Sequence, residues 1–188
     1  PLVTLGTFLL WFGWFGFNGF SQLAMGTFDD VNAISKIAVN THLAGAAGTV
    51  SAAVVSRLLG GKTDIIMMLN GALAGLVAIT AEPLTPSPLL AIVIGAIGAI
   101  IMYFGTKFLE ARHLDDVVGA IPVHMFAGIF GTLIVPISNP NTNFGTQFTG
   151  VISVCLFSFV LSYIIFKVMK ATIGLRISSS AEKLGTDV

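Results

Sequence analysis

Uncharged, apolar runs make up most of this chain, and short polar segments separate them. Five runs contain no Asp, Glu, Lys or Arg: residues 1–28, 37–56, 65–81, 83–106 and 117–166. The last run divides at residues 138–143, a polar stretch with three Asn and one Pro that is typical of a loop. Since a helix crosses a bilayer with about 17–25 apolar residues, four runs predict one membrane helix each and the last predicts two.

We therefore predict an all-α, polytopic membrane helix bundle with about six transmembrane helices. Their expected bounds are residues 2–26, 32–57, 64–81, 88–109, 117–137 and 146–172. The runs are too long and too uniformly apolar for the alternating strands of a membrane β-barrel, which have about ten residues each. Because apolar runs recur along the whole chain, a cleaved signal peptide does not explain them.

The composition agrees with a membrane protein and argues against several other classes. Hydrophobic residues make up 55% of the 188 residues and charged residues only 10%, and the formal net charge is zero. A neutral chain is not expected to bind nucleic acid. The single cysteine excludes an internal disulfide, and the sequence contains no metal-binding, phosphate-binding or hydrolase motif. We therefore expect no metal, no cofactor and no enzymatic activity.

Lysine and arginine predict the orientation of the chain. In a six-helix topology eight of the nine Lys and Arg residues fall on one side, and only Lys36 falls on the other. The positive-inside rule makes the eight-residue side cytoplasmic. We therefore expect an integral protein of the cell (inner) membrane with both ends of the chain in the cytoplasm. A transmembrane domain over residues 1–177 would then precede the start of a cytoplasmic tail over residues 178–188.

One of the three histidines is a candidate functional residue. His124 lies within the fifth predicted helix, where an ionisable side chain is costly and indicates a function, although a satisfied packing histidine is the alternative. Pro122 cannot donate to the carbonyl of Val118, so we expect irregular backbone there. His42 is a weaker candidate for a hydrogen bond between helices. His113 lies in a charged loop and is expected to be solvated.

Aromatic and small residues have distinct distributions. The first helix is rich in aromatic rings, and Trp11 and Trp14 lie near its middle rather than at a membrane interface. One or two of these rings are candidates to narrow a path or to bind a cation through the ring face, and packing bulk is the alternative. The small residues of segments 44–48 and 71–75 predict close packing of helices.

Two acidic sites have both chemical and structural interpretations. The pair Asp115 and Asp116 precedes the fifth helix, where a helix cap is expected in preference to acid–base chemistry. Glu82 lies in the short turn between the third and fourth helices. An ordinary exposed turn is expected there, and attraction of cations is the alternative.

Five motifs occur in order along the chain. They are Gly-Trp-Phe-Gly-Phe-Asn at 13–18 followed by Ser21, Asn-Thr at 40–41, Asn-Gly-Ala-Leu-Ala-Gly-Leu-Val-Ala-Ile-Thr at 70–80, the segment 115–132 with its Asp-Asp, Val-His and Gly-Ile-Phe-Gly-Thr elements, and Gly-Leu-Arg-Ile at 174–177. Together they resemble the corresponding segments of the ammonium transporter family (Amt/Mep/Rh).

The resemblance implies a particular place in a larger fold. The family has eleven membrane helices, in which two five-helix inverted repeats precede a last helix, and this chain resembles helices six to eleven. Many transporter folds consist of inverted repeats, with the substrate pathway at the interface between the repeats. The implied partners are ammonium or ammonia, the lipid bilayer, the missing N-terminal half of the same protein and two further copies in a homotrimer.

The resemblance also implies roles for individual residues. Phe17 aligns with one of two phenylalanines that gate the outer pore entrance, and Ser21 with a serine of the ammonium recruitment site. His124 aligns with one of two pore histidines, whereas Leu10 and Thr80 align with positions that line the pore. Three further residues are expected to have structural roles near the pore: Asp116, Pro122 and Asn18.

The expected function is ammonium or ammonia transport through a histidine-containing hydrophobic pore, of which this chain supplies a part. The chain departs from the family pattern at several positions: Phe20, Pro122 and Met125 replace glycine, Gly119 replaces aspartate, and Ser178–Ser180 replace acidic residues. These departures keep two alternatives open. One is the membrane module of an ammonium sensor with a downstream signalling domain, and the other is a half that only packs. For a transporter, a PII-type regulator is a further possible partner.

Overall fold

The structure is a computed structural model that describes residues 1–185, so positions 186–188 of the predicted tail lie outside the described residues. The helices are α1 (Leu2–Gly19), α2 (Phe28–Gly60), α3 (Ile65–Thr80), α4 (Pro88–Ala111), α5 (Ala127–Ile134), α6 (Phe144–Thr172) and α7 (Ser179–Leu184). A π-helical turn, Ile121–Phe126, leads directly into α5. Short 3₁₀ turns, Phe20–Gln22 and Val135–Ile137, follow α1 and α5.

The all-α prediction is confirmed, and each of the six predicted segments contains helix. Within residues 1–185, four helical segments are long and apolar enough to cross a membrane: Leu2–Gln22, Phe28–Gly60, Pro88–Ala111 and Phe144–Thr172. The other two, Ile65–Thr80 and Ile121–Ile137, are apolar but shorter. The chain divides into two compact units, Pro1–Gln147 and the remainder from Phe148.

Two predicted helix ends differ by four residues from the structure, for different reasons. The first helix does not reach residue 26, because the 3₁₀ turn after α1 stops at Leu23, whose φ of 59° lies in the left-handed region. The second helix starts at Phe28, four residues earlier than predicted. There the Thr27 hydroxyl accepts from the Asp30 N–H, and the Asp30 carboxylate accepts from the Thr27 N–H at 3.0 Å. The charge of Asp30, which the apolar pattern excludes from a membrane run, is favourable at a helix N-terminus.

Close approach of α2, α3 and α4 forms the centre of the first unit. A Cβ added to Gly48 would lie 2.2 Å from the carbonyl oxygen of Gly71, and one added to Gly75 would lie 2.3 Å from that of Ala44. A Cβ on Gly95 of α4 would lie 2.1 Å from the same Ala44 oxygen. Only glycine fits at these positions, which confirms the predicted close packing and brings helix backbones into direct contact.

The second unit contains most of α6 and the short helix α7. None of the residues of α6 is buried, although its mean hydropathy of 2.3 over the apolar window is typical of a membrane helix. The Ser178 hydroxyl caps α7 by accepting from the Ala181 N–H, and Arg176 forms an ion pair with Glu182. The helix α7 was not predicted, since only six residues form it.

Candidate functional site

A cavity of about 340 Å³ opens between α1, α3 and the π-helical turn with α5. Its lining contains three of the predicted site residues, Phe17, Thr80 and His124. The remaining lining residues are Trp14, Val77, Ala81, Gly128 and Thr132. The fold therefore brings together side chains that are up to 118 positions apart in the sequence, from three different helical segments.

A hydrogen bond between α1 and α3 orients the aromatic wall of this cavity. The indole Nε1 of Trp14 donates to Thr80 Oγ1 at 2.7 Å, and Thr80 Oγ1 in turn donates to the Leu76 carbonyl at 2.6 Å. Trp14 also contacts Phe17 edge to face, with ring centroids 5.9 Å apart. The indole is thus held both by a polar contact at its edge and by an aromatic neighbour, a geometry that favours one orientation of the ring.

His124 lies in the middle of the π-helical turn, and its side chain is exposed to the cavity. The Ala127 N–H reaches back five residues to the carbonyl of Pro122, which is the widened hydrogen bond of a π-turn. The prediction of irregular backbone around Pro122 is confirmed. A π-turn inside a helix is frequently found at a functional site, because it rotates side chains away from their α-helical positions.

The predicted reason for the irregular backbone needs correction. The helical segment begins only at Ala120, so Pro122 lies in its first turn, where N–H groups lack partners within the helix in any case. The carboxylate of Asp116 accepts from the N–H groups of Ala120 at 2.9 Å and Ile121 at 2.8 Å. Asp116 is therefore a helix cap, as predicted, and proline follows at a position where its missing N–H leaves no gap.

The carbonyl of Val118, which precedes this turn, is satisfied from another helix. The side-chain amide of Asn70, which is only 7% exposed, donates to it at 3.0 Å. The next residue, Gly119, has a φ of 75°, and a Cβ there would lie 2.6 Å from Asn70 Nδ2. Asn70 and Gly119 fit each other, so α3 determines where the segment that carries His124 begins.

Asn18, for which a structural role near the pore is predicted, is fully buried. Its amide nitrogen donates to Thr41 Oγ1 on α2 at 3.0 Å. The neighbouring Asn40 donates to the carbonyls of both Pro83 and Pro86 at 2.9 Å. These bonds fix the end of α1 to α2, and α2 to the loop between α3 and α4. They account for the amide nitrogens of Asn18 and Asn40, whereas the side-chain oxygens of both residues are buried without a hydrogen-bond partner among the described residues.

Other predicted site residues lie away from the cavity. Leu10 on α1 is 49% exposed, and Ser21 is exposed in the 3₁₀ turn that follows α1; neither lines this cavity. His42 packs against the aromatic rings of α1, 5.6 Å from Trp11 and 6.2 Å from Phe15 between ring centroids. These contacts do not include the hydrogen bond that was expected of it.

Glu82 is not an ordinary exposed turn residue. Its carboxylate accepts from the Asn139 amide at 2.7 Å and from the Thr85 N–H at 3.3 Å. The Thr85 hydroxyl meanwhile donates to Ser138 at 3.1 Å. Together these bonds join the α3–α4 loop to the polar loop before α6, so the Glu82 carboxylate has a structural role.

Sequence reasoning missed two contributors to the site. Trp14 was one of seven aromatic residues in the predicted first helix, residues 2–26, and only its bond to Thr80 distinguishes it. Asn70 stood out only as part of a motif, and its partner is 48 positions away. The one signal for Asn70 in the sequence was an amide side chain in an otherwise apolar helix, because such a group needs a hydrogen-bond partner when it is buried.

These features define a polytopic helical membrane protein with a histidine on an irregular helical turn that faces a cavity between helices. The model of the Ammonium Transporter Family matches residues 1–188. Ammonium transporter Amt2 of Archaeoglobus fulgidus is 40% identical over 98% of this chain and 43% of its own length. A putative ammonium transporter of Synechocystis is 39% identical over 98% of the chain and 43% of its own length.

Solved structures show the same fold. A protein described as a sensor Amt protein superimposes with a TM-score of 0.90 at 36% identity, over 100% of this chain and 48% of that protein. Mep2 of Candida albicans superimposes with a TM-score of 0.84 at 25% identity, over 94% of this chain and 43% of Mep2. This chain belongs to the ammonium transporter family. It spans less than half the length of these relatives.

Proposed function

We propose that this chain forms part of a path that carries ammonium or ammonia across a membrane. The observation that carries the proposal is the cavity in which His124 faces Phe17, Trp14 and Thr80 between three helical segments. Membership of the ammonium transporter family supports the same substrate. The activity is transport rather than catalysis, since the only bond of the substrate that has to break and re-form is an N–H bond of ammonium.

The chemistry of the cavity suits a small cation that can lose a proton. Ammonium pays a desolvation cost on entering an apolar path, whereas neutral ammonia pays far less. The exposed imidazole of His124 is able to accept a proton at one ring nitrogen and release one from the other, because the neutral ring carries both an acceptor and a donor. The rings of Trp14 and Phe17 attract a cation through their faces before the proton leaves.

The remaining predicted residues complete the proposal. Phe17 is the gate, Thr80 lines the path beside the Trp14 indole, and Leu10 lines a part of the path that lies outside this cavity. Ser21 belongs to the recruitment site at the exposed end of α1. The proposal requires a second half of the protein to close the path, because the lining described here comes from this chain alone and remains open on one side.

We propose two further copies in a homotrimer, an orientation with both chain ends in the cytoplasm, and residence in the cell membrane. For the transport function we also propose a PII-type regulator as a partner.

A second function is favoured by one observation. The structure with the TM-score of 0.90 is described as a sensor Amt protein, and the whole of this chain matches it. In this alternative the same cavity binds ammonium, and occupancy is passed to a cytoplasmic signalling domain. The two functions differ in whether ammonium that enters the cavity also leaves on the other side.

The test is an ammonium flux assay on the full-length protein that contains this chain, reconstituted in liposomes. We expect flux in the unchanged protein and a change on the order of 100-fold in His124→Ala, as for a positioned proton-transfer group. His113→Ala is the matched control, because His113 is exposed in a loop away from the cavity. Absence of flux in the unchanged protein rejects transport, and ammonium binding without flux identifies the sensor.

A further inference from the structure

The π-helical turn that carries His124 also packs against α4. A Cβ added to Gly105 of α4 would lie 2.3 Å from Cδ2 and 2.9 Å from Cε2 of the Phe126 ring. The same added Cβ would lie 3.2 Å from Cβ of Pro122. The phenyl ring therefore lies directly over the backbone of α4, where only glycine leaves room for it. This packing, the Phe126–Gly105 contact, joins the turn to α4.

His124 and Phe126 lie on nearly opposite sides of the turn. Residues two positions apart are separated by about 200° in an α-helix, and a π-turn, which is wider, keeps them on opposite sides. His124 is accordingly exposed to the cavity between α1, α3 and α5, whereas Phe126 is half-buried and does not line that cavity. A rotation of the turn that moves the ring away from Gly105 would therefore turn the imidazole away from the cavity.

The backbone by itself does not fix the rotation of the turn after His124. The Ala127 N–H is shared between the carbonyls of His124 and Pro122, which are three and five residues back. A shared bond of this kind is compatible with either spacing, so it does not select one rotation. Asn70 and Asp116 stabilise only the backbone before His124. On the far side of the histidine, the phenyl ring supplies the constraint.

The Phe126 ring is not explained by packing of the core. Within residues 1–185, the two hydrophobic clusters of buried residues include the neighbouring Val123 and Ala127 but not Phe126. The ring is half-buried, and its close neighbour is the backbone at Gly105. We therefore expect loss of the ring to change the direction of the turn more than the stability of the first unit.

We propose that Phe126 is a positioning residue for His124, and that the Phe126–Gly105 contact keeps the imidazole directed into the cavity. The effect on ammonium flux rests on the proposed transport function, whereas the direction of the imidazole does not. Displacement of a reacting group by about 1 Å is enough to cost on the order of 100-fold in rate. A ring that touches no part of the cavity thereby controls the residue that does.

The experiment measures ammonium flux for a complementary pair of variants of the full-length protein that contains this chain. Phe126→Leu removes the ring and Gly105→Ala occupies the space below it, and each should lower flux about tenfold. In the double variant the smaller leucine leaves space for the added methyl group, so most of the lost flux should return. Failure of the double variant to recover overturns the role of the contact.

A second comparison places Phe126→Leu in a His124→Ala background. There it should lower flux no further, because a residue that acts through another is not additive with it. Unchanged flux in Phe126→Leu alone, or full additivity with His124→Ala, overturns the proposal. This comparison decides the test even where Gly105→Ala does not fold.

Phe130→Leu is the matched control. It removes a ring from the next turn of α5, where the ring packs against a hydrophobic cluster rather than against Gly105. Its effect on flux should be small and should add to that of His124→Ala. A loss in Phe130→Leu as large as that in Phe126→Leu would show that any ring of this segment is equivalent, which overturns the proposal.

A readout without transport separates this inference from the transport proposal. Diethyl pyrocarbonate modifies exposed imidazoles, and mass spectrometry of the digested protein gives the ratio of modification at His124 to that at the exposed His113. The ratio should fall severalfold in Phe126→Leu and return in the double variant with Gly105→Ala. If the unchanged protein carries no ammonium, the transport proposal fails and this ratio still decides. An equal ratio in Phe126→Leu and the unchanged protein overturns the positioning role, whatever the flux.

Discussion

The side-chain amide nitrogen of Asn70 lies 3.0 Å from the carbonyl oxygen of Val118, and this single bond joins α3 to the segment that leads into the His124 turn. The bond stabilises the irregular backbone that leads into the π-helical turn. The helical segment begins at Ala120, and its first backbone acceptor is the Gly119 carbonyl, which accepts from the Val123 N–H at 3.2 Å. Val118 lies one residue earlier, so its carbonyl needs a partner from outside the helical segment. A polar side chain on a neighbouring helix therefore determines where the histidine turn begins.

Replacement of Asn70 by Asp should destabilise the protein. The carboxylate has nearly the same size, but it has no N–H to donate and places an oxygen against the Val118 carbonyl. Leaving a buried acceptor without a partner costs about 1–3 kcal/mol. Thermal unfolding of the full-length protein measures the effect, and ammonium flux should fall with it because the His124 turn shifts. Asn32→Asp, at an exposed position near the start of α2, is the control. Equal melting temperatures for both variants would contradict the role of Asn70.

Replacement of Gly119 by Ala should be more costly than the same change at Gly61. The two glycines have φ values of 75° and 76°, so both variants place alanine in the left-handed region, at about 1–2 kcal/mol each. At Gly119 the new Cβ also lies 2.6 Å from Asn70 Nδ2, whereas at Gly61 no atom lies within 4 Å. The difference between the unfolding free energies of the two variants measures the cost of the steric clash with Asn70. If the two variants unfold alike, the close fit of Asn70 and Gly119 is unimportant.

Trp14 and Thr80 should depend on each other in a double-mutant cycle. Trp14→Phe keeps an aromatic ring but removes Nε1, and Thr80→Val keeps the shape but removes the acceptor. The coupling free energy of unfolding should be about 0.5–1.5 kcal/mol, the net value of one hydrogen bond. The flux of both single variants should fall because the indole turns in the cavity. Strictly additive effects would show that the bond of 2.7 Å does not orient the ring.

Replacement of Gly48 by Ala should disrupt the contact between α2 and α3. The added methyl group would lie 2.2 Å from the Gly71 carbonyl oxygen, which is backbone and cannot move aside as a side chain does. Overpacking of this kind costs about 1–3 kcal/mol, and more where two backbones are in contact. Gly6→Ala is the matched control, since no atom lies within 4 Å of its Cβ position. Detergent-solubilised yield and melting temperature should fall for Gly48→Ala alone.

Much of the helix content was predictable from apolar runs, because a membrane helix must satisfy its own backbone and present apolar side chains to lipid. Helix ends were less predictable. The 3₁₀ turn that follows α1 ends at a left-handed residue, Leu23, in a run that carries no charged residue to mark the end. The start of α2 depends on Thr27 and Asp30, and a rule that excludes charge from membrane runs places that start too late. Capping is a property of hydrogen bonds, which a hydropathy profile does not contain.

The candidate site was only partly predictable. His124 stood out because an ionisable residue in an apolar helix is rare, and Asp116 because acids favour helix starts. The sequence could not distinguish Trp14 from the other rings of α1, nor assign a partner to Asn70. Both depend on which residues of α1, α3 and α5 face one another, and that is settled by the rotation and spacing of packed helices.

By itself, the sequence determined the class of structure: an all-helical membrane protein, with a small-residue stripe for close packing and two histidines, His42 and His124, within apolar segments. These properties follow from composition and from the spacing of residues along the chain. Lipid requires apolar side chains, and helical hydrogen bonds join residues that are close in sequence, so both requirements are visible in a short stretch of sequence. Tertiary structure alone decided that Phe17, Thr80 and His124 share a cavity while Leu10 and Ser21 lie outside it. The physical reason is that helix packing is set by close backbone contacts between distant residues, such as Gly48 with Gly71, and these contacts fix which side chains meet.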